Sequence, residues 1–164
     1  MVLTTQVDIR PAEASDIEAI QQFAHAVVPA AYAEFAPGMG DKLVADWWNA
    51  DQLRDCIDNT ATLIAVGGDS VVGLAQLDAR EPEPVLWKLY TAADQRGTGL
   101  GSALLAAVIA ALPERPASIL TEYLADNTAA AAWYERRGFV VTAREHYPGE
   151  PESVWARLAL PSMD

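Results

Sequence analysis

The chain has 164 residues, 51% of them hydrophobic and 21% charged, which fits a soluble globular protein with enough length for one domain and its own core. A formal net charge of −12 and a pI near 4.4 argue against nucleic-acid binding, which needs basic surface. One cysteine rules out an internal disulfide, two histidines without a Cys/His cluster give no metal centre, and the longest apolar run, Ala103–Leu112, is too short to span a bilayer.

The opening MVLTTQVDIR lacks the basic region and apolar block of a secretory signal, and with the lone Cys56 it points to a reducing cytoplasm. A short strand is expected around Val7–Arg10, ended by Pro11. Ser15 with Glu18 three residues on reads as a capping box that opens a helix. Ile17, Ile20, Ala24, Val27, Val28 and Ala31 follow helical spacing on its core face, and His25 reads as a helix-face residue. Pro37-Gly38 and Gly40 break this helix, and a second is expected from near Asp41. Its apolar stripe of Leu43, Val44, Trp47 and Trp48 continues to Leu53 and Ile57. The aromatics Tyr32, Phe35, Trp47 and Trp48 read as packing or as the lining of a substrate mouth.

Thr62–Val66 and Val71–Leu77 read as two strands joined by a tight turn at Gly67-Gly68. EPEP, residues 81–84, is a stiff loop into the strand Val85–Thr91. An Ala/Leu-rich helix runs to about Leu112, burying Leu100, Leu104, Ala107, Val108, Ala111 and Leu112. Ser118–Tyr123 is another strand. Asn127 caps the next helix and Gly138 closes it. Phe139–Ala143 and Val154–Leu160 are the last strands. The order describes one α/β domain, residues 1–164, built on a mixed sheet, with no repeats or linker.

Between the strand at Val85–Thr91 and the helix after it lies QRGTGLGSALL, residues 95–105. Gly97, Gly99 and Gly101 let the backbone turn tightly and approach a ligand. The first helical amides then lie unpaired at the positive end of the helix dipole, a site for phosphate oxygens, with Arg96 beside it. The plain alternative is a glycine-rich turn with no ligand. A Walker loop would need a Lys that does not follow. A dinucleotide fingerprint would need a third Gly where Ser102 or Leu104 stands, although Glu122 imitates its ribose-binding acid.

Arg96-Gly97-Thr98-Gly99-Leu100-Gly101, preceded by Leu86-Trp87-Lys88-Leu89-Tyr90-Thr91, resembles the Q/R-x-x-G-x-G/A motif and preceding strand of the GNAT superfamily of N-acetyltransferases. Asn127 to Phe139 matches that family's N-x-x-A-x-x-x-Y-x-x-x-G-F signature. The resemblance is clear from about Thr62 to Phe139. It implies a GNAT-like acyl-CoA N-acyltransferase fold, a central mixed and mostly antiparallel sheet flanked by about four helices. It also implies acetyl-CoA as cofactor. The amides of Arg96, Gly97, Thr98, Gly99, Leu100 and Gly101, with Ser102 next to them, would cradle the pyrophosphate. Backbone groups of Leu89, Tyr90 and Thr91 would pair with the pantetheine arm, Asn127 would bond it, and Tyr134 would protonate the departing thiolate. Thr91 departs from the family's usual apolar residue.

The implied reaction is acetyl transfer to an amine of a small molecule or peptide by direct attack in a ternary complex. Tyr32, Trp47, Glu122 and Tyr147 are the candidate acceptor residues. For the base, Glu122, Glu81, Glu83, Glu34, His146 and a water chain all stay open. Residues 1–80 hold 12 acids and 4 bases, which favours a cationic acceptor; nucleic acid and membrane are not expected as partners. Whether the chain works alone or as a homodimer stays open. Two other readings remain: an acyl-CoA-binding module without turnover, and a dinucleotide-dependent oxidoreductase.

Overall fold

The computed structural model describes residues 6–162, so the first five residues of the N-terminal stretch read above lie outside it. Seven strands form one sheet in the order β1-β2-β3-β4-β5-β7-β6, with β1 at Val7–Pro11, β2 at Ala61–Gly67, β3 at Ser70–Asp78, β4 at Val85–Thr91, β5 at Ser118–Leu124, β6 at Val140–Glu145 and β7 at Ser153–Ala159. All neighbours are antiparallel except β4 and β5. The mixed, mostly antiparallel sheet is therefore as expected.

Five α-helices flank it among the described residues: α1 at Ile17–Tyr32, α2 at Met39–Trp47, α3 at Ala50–Asn59, α4 at Leu100–Ala110 and α5 at Thr128–Arg136. The fifth arises because the stripe from Leu43 to Ile57 is divided. Asn49 takes an extended conformation and accepts from the Gln52 amide at 2.9 Å, starting a new helix. Gly40, expected among the residues that break α1 before a helix from near Asp41, lies inside α2, which starts at Met39. A Cβ there would come within 2.4 Å of the Pro29 Cα, so glycine lets α1 and α2 touch backbone to backbone. The expected cap at Ser15 is also replaced. Residues Ala14–Asp16 form a 3-10 turn, and Asp16 accepts from the Glu13 amide at 2.7 Å and from Arg10 at 2.8 Å.

Two apolar layers sandwich the sheet. On one side α4 packs Leu100, Leu104, Leu105 and Val108 against Ala75, Leu86 and Ile119. On the other, α1 to α3 pack Ile20, Phe23, Val28, Trp48 and Leu53 against Ile64 and Leu74. Phe23 joins this core although the sequence pattern had left it out. No described helix is long and apolar enough to cross a membrane.

Candidate functional site

The parallel pair β4 and β5 holds together for only two register positions, Val85↔Leu120 and Leu86↔Thr121. Beyond them β4 stays with β3 as far as Thr91, while β5 stays with β7 as far as Leu124. The sheet therefore forks. At the fork the Thr121 hydroxyl donates to the Leu86 carbonyl at 3.1 Å. The edge of β4 that faces β5, from Leu89 to Thr91, has no strand beside it, and open backbone edges take up extended ligands.

The glycine loop sits at the mouth of this fork. Gly97 and Gly99 have φ of +77° and +87°, conformations that side chains rarely adopt, and a Cβ at either would meet nothing within 4 Å. Ala103 donates to the Gly99 carbonyl at 3.0 Å, so α4 begins there and the amides of Leu100, Gly101 and Ser102 have no partner within the helix. Two of the expected cradle amides are engaged elsewhere. Arg96 donates to Ala93 and Thr98 to Gln95, each at 3.3 Å. Gly101 has a packing role as well, because a Cβ there would stand 3.1 Å from the Trp133 ring. Arg137 completes that corner. Its guanidinium stacks 3.5 Å from the Trp133 ring centre and donates twice to Ser102 Oγ, at 2.8 and 3.0 Å.

Tyr134 lies between Tyr123, Trp133 and Phe139, with ring centres 5.7, 5.2 and 5.0 Å away. The ring keeps some exposure, yet desolvation pushes its hydroxyl up to about 12, with the neighbouring Thr121 hydroxyl pulling the other way. It therefore stays protonated at neutral pH. Asn127 caps α5 by accepting from the Ala130 amide at 3.1 Å, which leaves its amide nitrogen for another partner. Across the fork, Tyr32 and Tyr90 join hydroxyls at 3.0 Å. Burial raises the pKa of both, and the charge of Glu122 raises that of Tyr32 further. Tyr32, Tyr90, Tyr134 and Glu122 thus form one electrostatically linked group.

The other acceptor candidates are on the surface. Trp47 and Tyr147 are exposed, at 54% and 56%, and Trp48 rather than Trp47 packs on Tyr90, at 5.6 Å. Among the base candidates, Glu83 is held by Arg157 at 2.6 and 2.8 Å and by Ser118, which brings its carboxyl down to about 2. Such a carboxylate hardly binds protons at neutral pH. Glu34, Glu81 and His146 are exposed, and Glu122 is the candidate beside the tyrosines.

Sequence reasoning missed two features. A groove of 340 Å³ is lined by Phe35, Pro37, Met39, Lys42, Leu124 and Asp126 among others, and Phe35 packs on Tyr32 with ring centres 5.5 Å apart. Leu124 falls one residue beyond the expected strand Ser118–Tyr123, and the α1–α2 connection that also lines the groove carries no motif. Lys88 is buried at 7% exposure, bonds Gln76 Oε1 at 3.1 Å and lies 3.8 Å from Cys56 Sγ.

The model of an acetyltransferase (GNAT) domain family matches residues 58–141, just over half of the chain. No curated protein matches it. Among solved structures, the chain is similar to the PaiA N-acetyltransferase of Thermoplasma acidophilum in complex with coenzyme A, with 16% identity, coverage of 92% of this chain and 98% of that one, and a TM-score of 0.78. A GCN5-related N-acetyltransferase from Rhodopseudomonas palustris gives 21%, 98%, 99% and 0.76, and the ribosomal-protein-S18-alanine N-acetyltransferase of Escherichia coli gives 20%, 97%, 97% and 0.73. At these identities the likeness is one of fold. The family match is more specific, since it runs from the end of α3 into β6 and takes in both the fork and the glycine loop, and by it the chain belongs to the GNAT acetyltransferase family.

Proposed function

We propose that this protein is an acetyl-CoA-dependent N-acetyltransferase acting on an amine by direct attack in a ternary complex. The observation that carries the proposal is the fork between β4 and β5, which opens a backbone edge on the strand that leads into the glycine loop, with Leu100 of α4 packed on Gly73 opposite Thr91. The residues fit the cofactor. The space above Gly97 and Gly99 is free where a Cβ would intrude, and the amides at Leu100, Gly101 and Ser102 supply donors for diphosphate oxygens. Leu89, Tyr90 and Thr91 would hold the pantetheine arm along the open edge, with the Asn127 amide nitrogen as a further donor. When bound, acetyl-CoA supplies an acetyl group activated as a thioester.

The protein's own residues then manage protons. An alkylamine has a pKa near 10.4, so only about one molecule in 10³ is unprotonated at neutral pH. Glu122, exposed on β5 beside Tyr32, accepts that proton directly or through water. Tyr134 holds its proton and offers it to the departing sulfur. A phenol near 12 is a weaker acid than a thiol near 8.5, so it stabilises the thiolate by a hydrogen bond more than by complete transfer. Cys56 is buried with its thiol pushed up, which suits a mechanism that needs no protein nucleophile.

Thermal shift with acetyl-CoA and with NAD(H), followed by thiol release over a panel of amines, tests this. Stabilisation by acetyl-CoA with release is the expected outcome. Stabilisation without release from any amine would favour a binding module, and stabilisation by NAD(H) alone would overturn the cofactor.

A further inference from the structure

Tyr90, on the open stretch of β4, joins its hydroxyl to that of Tyr32, the last residue of α1. The oxygens lie 3.0 Å apart, and among the described residues neither hydroxyl has another hydrogen-bond partner. Both rings are held in place by aromatic neighbours. Trp48, 3% exposed, meets the Tyr90 ring edge-on at 5.6 Å, and Phe35 packs on Tyr32 at 5.5 Å. The pair is therefore a fixed feature, and the mechanism above gives it no part.

A hydroxyl has one proton to give, so the bond between them runs in one direction. Tyr90 is the more enclosed of the two: desolvation raises its hydroxyl well above the usual tyrosine value and raises Tyr32 less. Leaving an enclosed donor without an acceptor is costly, so Tyr90 donates and Tyr32 accepts. Tyr32 then keeps its own proton and a second lone pair, both turned away from Tyr90. The charge of Glu122 acts on Tyr32 and draws that proton to its side. The lone pair that remains is open to an N–H donor.

We infer that Tyr32 is a further catalytic residue, whose hydroxyl oxygen takes an N–H of the attacking amine, and that Tyr90 is a positioning residue that sets the direction of that hydroxyl. This deepens the acetyl-transfer reading and rests on it. As the bond from nitrogen to the acetyl carbon forms, the nitrogen becomes positive. One of its protons passes to Glu122, the other N–H stays on the Tyr32 oxygen, and the electron pair of the broken C–S bond leaves with sulfur beside Tyr134. A hydrogen bond from a charged donor is stronger than one from a neutral donor, so the Tyr32 contact favours the transition state over the bound amine. Tyr90 would also hold the pantetheine arm through its backbone. One residue thus places the thioester and, through Tyr32, the nitrogen that attacks it.

The test is a double-mutant cycle read in the single-turnover rate of thiol release, on the full chain, with phenethylamine, spermidine and lysine as acceptors. Tyr32→Phe should lower the rate by about 10–100-fold, the scale of a hydrogen bond to a charged group, and leave acetyl-CoA affinity by calorimetry unchanged. Tyr90→Phe alone should cost roughly 3-fold, the scale of a neutral hydrogen bond. Added to Tyr32→Phe it should cost nothing further in rate, because Tyr90 acts only through Tyr32. Stability should move the other way: Tyr32→Phe orphans the Tyr90 hydroxyl, so adding Tyr90→Phe should raise the melting temperature. A loss from Tyr90→Phe that is the same in both backgrounds would overturn the positioning role. An unchanged rate in folded Tyr32→Phe would overturn the contact with the amine, and either result leaves acetyl transfer intact. Release from none of the three amines by the unaltered protein, with acetyl-CoA bound, would remove the acetyl-transfer reading and this one with it.

Discussion

At Tyr134 the packing that seats the ring also determines what its hydroxyl does. Held up to about 12, it carries its proton across the whole working range. Raising pH should therefore increase kcat as the amine loses its proton, with no fall from Tyr134 before about pH 10. Tyr134→Phe should lower kcat by about 10²-fold or somewhat less, the low end of general acid catalysis, with acetyl-CoA affinity unchanged by calorimetry. An unchanged kcat, where chemistry limits the rate, would remove the hydroxyl from the reaction. Gly99 asks a different question. With φ of +87°, Gly99→Val would strain the backbone by about 1–3 kcal/mol, so lost binding and lost fold would be confused. Gly99→Asn is the cleaner change, because asparagine tolerates positive φ while projecting a side chain over the loop. It should weaken acetyl-CoA binding at least 10-fold with a nearly normal melting temperature; full affinity would show that the space over Gly99 is not used.

Among the elements, what the sequence made legible followed from local signals. The strand at Val85–Thr91 is observed with those bounds, and Asn127 and Gly138 bound α5 as a cap and as a turn at φ +96°. The fork itself was not legible from residues, because how far two parallel strands pair depends on what each pairs with on its other side. Gly40 misled for a similar reason: inside a sequence it signals a break, and only the approach of Pro29 reveals a packing role. Lys88 was hidden within a strand whose alternation is upset by a register shift, which seats it beside Gln76, Cys56 and Trp48. Burial lowers its pKa, so below the ordinary lysine value the folded chain binds fewer protons than the unfolded one. Stability from this group therefore rises with pH, from the depressed folded value up to about 10.5. Lys88→Met should abolish that increment, seen as a smaller gain in melting temperature between pH 7 and pH 10 than the unaltered protein shows. An identical pH dependence would mean that Lys88 is not effectively desolvated.

At the scale of the whole molecule, the sheet serves as two halves joined at their base. β1 to β4 carry the open edge and the glycine loop, and β5 to β7 carry Glu122. Near the closed end, the Glu83 carboxylate on the loop before β4 binds Arg157 of β7 and Ser118 of β5, tying the halves on the side away from the chemistry. The central claim is that acetyl-CoA lies in the gap between these halves. Amide hydrogen exchange with and without acetyl-CoA tests it most directly, because the ligand should slow exchange on the backbone groups it covers. The predicted result is new protection at Leu89–Thr91 and at Gly97, Gly99 and Leu100–Ser102, with little change in β1, β2 or α3. Protection elsewhere with none on the β4 edge, at a concentration where calorimetry shows the ligand bound, would contradict the account.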